Sequence, residues 1–168
     1  MKQMIAAAGL LFGLALLLTA CGPQEPQKTI SKELGIDVSQ GTVAIDFDSH
    51  GGFHGDGVAC AALQFSDARA LEQIEKSGQW RKFPLEETVQ ALVYGIEEGT
   101  SRIGPFLTDE EGNSLVPEIR EGYYLLIDRQ AEPGKATGAD MLHRSSFNLT
   151  LGLYDTATQT LYYCKLDT

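Results

Sequence analysis

The chain has 168 residues, with 23 acidic against 13 basic side chains for a net charge of −10, and 43% of its residues are apolar. That is enough apolar material for a real core. The acid excess repels phosphate backbones and anionic lipid, which argues against nucleic acid as a partner.

The first element is an apolar run from Ile5 to Leu18 behind a single Lys2. It is shorter than the roughly 20 residues a spanning helix needs, and it has the charge, length and small-residue ending of a secretory signal. Its end, Leu18-Thr19-Ala20-Cys21, resembles the lipobox of bacterial lipoproteins. The resemblance implies a signal peptide over residues 1–20 and a diacylglyceryl group with palmitate-class chains on the Cys21 sulfur. It also implies residence at the extracytoplasmic face of the cell membrane. Two acyl chains anchor stably where one holds only marginally, so the domain needs no membrane-binding surface of its own. A plain secreted protein or an uncleaved anchor, with Cys21 incidental, is the competing reading.

Residues 21–35 open with two prolines and many polar side chains and read as a flexible tether. One domain then spans 36–168. Val43, Ile45 and Phe47 alternate with Ala44, Asp46 and Asp48, the period-2 pattern of a half-buried strand. The glycine-rich stretch from His50 to Gly57 follows, and Val58–Phe65 is nearly continuously apolar, as in a strand covered on both faces. The pair reads as a hairpin with a long loop. Ser66 or Asp67 can cap a helix running to Lys76, ended by Ser77-Gly78. Pro84 suits the start of a second helix whose buried stripe is Leu85, Val89, Leu92 and Val93. Residues 96–118 read as a surface excursion, Gly122–Asp128 as a strand and 130–145 as a mobile loop. Phe147–Tyr154 and Leu161–Leu166 form a closing hairpin. The order ββααβββ predicts an α+β fold, an antiparallel sheet with two helices packed on one face.

Chemistry concentrates in the first hairpin. Asp46, Asp48 and His50 share one strand face, with His54 and Asp56 following across glycines. These five are a candidate set for a divalent cation, zinc preferring the histidines. The spacing lacks the Glu of H-E-x-x-H, and Gly57 stands where a calcium loop has Glu. A polar hairpin loop whose Asp and His side chains bond to loop amides is the plainer reading. No catalytic residue is assigned, because no complete nucleophile, base and oxyanion frame occurs. With Cys21 lipidated, Cys60 and Cys164 remain as an even pair. A disulfide between neighbouring strands and two free thiols both stay open.

DSHGGFHGDG and FNLTLGLYDTATQTLYYCKLDT resemble pieces of an uncharacterised family of small secreted proteins of low-GC Gram-positive bacteria. The resemblance implies one domain and brings no activity or cofactor. The expectation is a lipid-anchored extracytoplasmic lipoprotein with a non-catalytic binding domain, its protein or small-molecule partner unknown. The alternatives are a metal-dependent hydrolase or metal-binding protein using the DFDSHGGFHGD loop, and an immunity- or inhibitor-type lipoprotein whose acidic surface meets a basic target.

Overall fold

Where apolar side chains run without a break, a strand must be covered on both faces, and this decides the order of the sheet. A computed structural model of the chain describes residues 25–51, 55–132 and 140–168. Helix α1 (Glu25–Leu34) precedes strands β1 (Thr42–Asp48) and β2 (Gly57–Gln64). Helix α2 (Arg69–Ser77), the short β3 (Arg81–Lys82) and helix α3 (Glu87–Val93) follow. Next come a small hairpin, β4 (Ile96–Glu98) with β5 (Ser101–Ile103), then β6 (Gly122–Asp128), a 3-10 turn at Met141–His143, β7 (Asn148–Asp155) and β8 (Thr160–Asp167). The fold is α+β, and its main sheet is antiparallel in the order β1-β2-β8-β7-β6-β3.

β2, β8 and β7 sit in the middle because each has buried residues on both of its faces. Cys60, Ala62, Leu151, Leu153, Tyr162, Cys164 and Leu166 face one way, against Val89, Leu92 and Val93 of α3. Ala61, Leu63, Tyr154, Leu161 and Tyr163 face the other way, against Ile30 and Leu34 of α1 and Ala70 and Ile74 of α2. The two predicted helices therefore lie on opposite faces rather than on one. The physical reason is the unbroken apolar run of β2, which leaves no face of the central strands for water.

Three further expectations are corrected. Residues 25–34, read as tether, form α1, with Ile30 and Leu34 almost fully buried. Pro26 at the start of the helix and Ile30 and Leu34 at i, i+4 supply a short buried stripe. The stretch 96–118, read as a surface excursion, is mostly exposed or half-exposed, but its Leu107 and Val116, with Ile119 just beyond, complete the α3-side core. Met141, in the segment read as a mobile loop, is buried in the same core. The signal peptide and Cys21 lie outside the described residues. Among the described residues no helix is long and apolar enough to cross a membrane.

Other expectations stand, the first of them in part. Of the predicted stripe, Val89, Leu92 and Val93 are wholly buried, whereas Leu85 is half-buried and precedes α3, which begins at Glu87 rather than at Pro84. Gly78 ends α2 with φ of 66°, the left-handed region glycine occupies without penalty. Gly152 has a different task. A Cβ there would lie 2.6 Å from the Trp80 ring and 3.2 Å from Leu34, so glycine is what lets the indole come this close to β7.

Candidate functional site

The first hairpin leaves the sheet edge at Ser49, whose N–H donates to Val58 O at 2.9 Å and whose Oγ both accepts from Val58 N and donates to Val58 O. This clasp holds the neck so close that a Cβ on Gly57 would come within 2.7 Å of the His50 backbone. Glycine at 57 is thus a requirement of close approach.

His50 is fixed from both sides. Its Nδ1 lies 2.7 Å from Asp48 Oδ1 and its Nε2 3.1 Å from Asp167 Oδ2. The His50 backbone N–H also donates to Asp48 Oδ1 at 2.8 Å. Arg129 Nη2 donates to Asp167 Oδ1 at 2.7 Å and to Leu149 O at 2.9 Å. The result is a linked chain of side chains, Asp48–His50–Asp167–Arg129, laid across the end of the sheet. The bond from the His50 backbone, and then from its ring, holds the Asp48 carboxyl below its ordinary range. Burial pushes Asp167 up, but the Arg129 guanidinium and His50 together outweigh it and leave that carboxyl below its ordinary range as well. Both imidazole nitrogens thus face carboxylates of the fold itself.

The predicted cation set is only partly gathered. Asp46 and Asp48 pair with Ala61 and Ala59 of β2 and so share the α1 face of the sheet. His50 is engaged as described, Asp56 is exposed, and His54 lies outside the described residues. Among the described residues no three His, Cys, Asp or Glu side chains are grouped to hold a metal ion. Cys60 and Cys164 are direct partners across β2 and β8, with Cα atoms 4.1 Å apart, and they form a disulfide.

Beside this cluster lies a groove of about 340 Å³ between α1 and the first hairpin. Ala59 and Ala61 make its floor because they are too small to fill it, Thr29 and Ile30 make one wall, and Asp46 and Asp48 stand on the rim. Its fourth side is a polar network centred on Glu33 of α1. Glu33 accepts from Tyr163 Oη at 2.7 Å, Lys165 Nζ at 2.8 Å and Thr150 Oγ1 at 3.2 Å. Burial alone would raise the Glu33 carboxyl, but these three donors, Lys165 foremost, hold it below its ordinary value. Burial, and then the Glu33 carboxylate, push the Tyr163 hydroxyl up. Lys165 is therefore engaged with Glu33, while the Asp46 carboxylate has no hydrogen-bond partner among the described residues, so the groove presents an apolar floor and a negative rim.

No protein-family model, curated protein or solved structure matches the chain.

A larger cleft of about 540 Å³ lies at the opposite end of the sheet, lined by Glu75, Lys82, Arg120 and Tyr123. Tyr123 Oη donates to Glu75 at 2.8 Å, and the remaining charges are of both signs on an open rim, so no single ligand charge is selected there. Sequence reading found Asp46, Asp48 and His50 but missed Glu33, Arg129, Tyr163, Lys165 and Asp167. The alternation of β8 put Tyr163, Lys165 and Asp167 on one face. Only the docking of α1 showed what that face meets.

Proposed function

We propose that this protein is a lipid-anchored extracytoplasmic lipoprotein, held at the membrane through Cys21, whose α+β domain is a non-catalytic binding module. The lipobox supports the anchor. One contrast carries the binding reading: the imidazole with catalytic potential faces carboxylates of the fold at both nitrogens, whereas the groove beside it carries Asp46, a carboxylate with no partner among the described residues. Saturated polar groups rigidify a scaffold, and an unsatisfied rim over an apolar floor is what a partner can use.

The anchor is tested by fractionating cells that express the full chain and weighing the membrane-extracted protein. The expected product begins at Cys21 with a diacylglyceryl thioether, and Cys21→Ala leaves the membrane fraction. An unmodified N-terminus, or wild-type protein found with the cytosol, defeats the reading. The non-catalytic reading is tested by metal analysis of the same preparation. Stoichiometric zinc or calcium, lost in both His50→Ala and His54→Ala, would move the assignment to metal-dependent hydrolysis.

A further inference from the structure

A sheet of six strands has two edges, and this one treats them differently. β3 is two residues long and both are basic, Arg81 and Lys82, a short charged edge of the kind that discourages pairing. β1 spans seven residues, contains no Lys, Arg or Pro, and is exposed or half-exposed throughout. It carries the large apolar side chains most open to water among the described residues, Val43 at 36% and Ile45 at 43%.

The register gives this edge two distinct faces. Ile45 and Phe47 pair with Ala62 and Cys60 and point to the α3 side; Asp46 and Asp48 point to the α1 side, over the groove. The bond from Ser49 N–H to Val58 O sets the alternation of the ladder. It turns the backbone N–H and C=O of Asp46 and Asp48 outward, away from β2. The irregularity between Val43 and Ile45 confines the regular template to Ile45–Asp48. A strand added there meets two carboxylates on one face and two apolar side chains on the other.

Resting on the reading of this domain as a binding module, we infer that the β1 edge receives an extended segment of a partner protein as a seventh strand, its Lys or Arg residues facing Asp46 and Asp48 and its apolar residues facing Ile45 and Phe47. Main-chain bonds supply attachment and the alternate side chains supply choice, as in other strand additions. A second copy of this chain is a poor occupant. Each copy has a net charge of −10, and antiparallel self-pairing lays the Asp46 and Asp48 rows of both on one face, where like charges oppose pairing.

The test is fluorescence anisotropy of labelled synthetic peptides with the full-length protein in detergent. One peptide alternates Lys and Val, one has the same composition in two blocks, one alternates Glu and Val, and one is the first with alternate backbone nitrogens methylated. Only the alternating Lys–Val peptide is expected to bind well, and added salt weakens it. Asp46→Lys, an exposed change, weakens it about fivefold or more. Asp46→Pro removes an outward N–H without touching the bonds to β2 and abolishes binding. Equal binding of the blocked or methylated peptide means charge attraction without a strand and overturns the inference. So does an unchanged affinity in Asp46→Lys, or, at pH 7 where the chain carries its full charge of −10, a dimer in sedimentation that occupies the edge. No binding by the alternating peptide overturns the partner class while the lipid at Cys21 still stands, whereas failure of the Cys21 assay removes the anchor and leaves this result intact.

Discussion

Glu33 accepts from three side chains of the sheet at once, and its removal leaves the hydroxyls of buried Tyr163 and Thr150 and the half-buried Lys165 ammonium without this acceptor. Glu33→Ala is therefore expected to destabilise the fold by about 1–3 kcal/mol, read as a lower denaturant midpoint. The folded carboxyl titrates below its ordinary value of 4.5. Its stabilisation is complete above that value and is lost as pH falls through the lower folded value. Wild-type stability should thus fall on acidification below about pH 4.5, and Glu33→Gln should flatten that part of the profile; identical slopes would refute the assignment. Gly152 gives a second test at this scale. Gly152→Ala drives a methyl into the Trp80 ring and should cost about 1–3 kcal/mol by overpacking. Trp80 is the only tryptophan in the chain, so a shift in intrinsic emission reports the displaced ring directly.

At the scale of elements, α1 and the disulfide do related work: each fixes the first hairpin to the rest of the sheet. Ile30 is 2% exposed, and Ile30→Ala should cost about 2–4 kcal/mol. The loss should appear first as faster hydrogen exchange in α1, while the β7–β8 amides stay protected. The Cys60–Cys164 bridge closes a sequence separation of 104 residues, and on chain entropy alone such a loop is worth about 4–5 kcal/mol. Reductant should lower the denaturation midpoint of the wild type and leave Cys60→Ala/Cys164→Ala unchanged. A wild type indifferent to reductant would refute this. The elements were unequally legible in the sequence. β7, β8 and the stripe of α3 stood out because their periodicity is local and uninterrupted. α1 was hidden because its polar residues outnumber its apolar ones, and only the two that touch the sheet betray it. The region after β5 was hidden for the same reason, its buried Leu107, Val116 and Ile119 being scattered among turns.

At the scale of the whole molecule, the charge of −10 keeps copies apart while the β1 edge stays open. Net charge falls to zero near the pI of about 4.6, which removes the repulsion between whole copies. Self-association should then rise on mild acidification, and Asp46→Pro should suppress it, both measured by sedimentation; a monomer at every pH would contradict the account of the edge. The sequence by itself determined the features that depend on neighbours along the chain: an α+β alternation of elements, two antiparallel hairpins, the glycine-bearing loop and the lipobox-like Leu18–Cys21. Only the tertiary structure decided that the helices divide between two faces, that α1 belongs to the domain, that His50 is held between Asp48 and Asp167, and that β1 rather than β8 lies at the rim. Periodicity states which side chains share a face. What that face meets depends on contacts between residues more than a hundred positions apart, such as Glu33 with Tyr163.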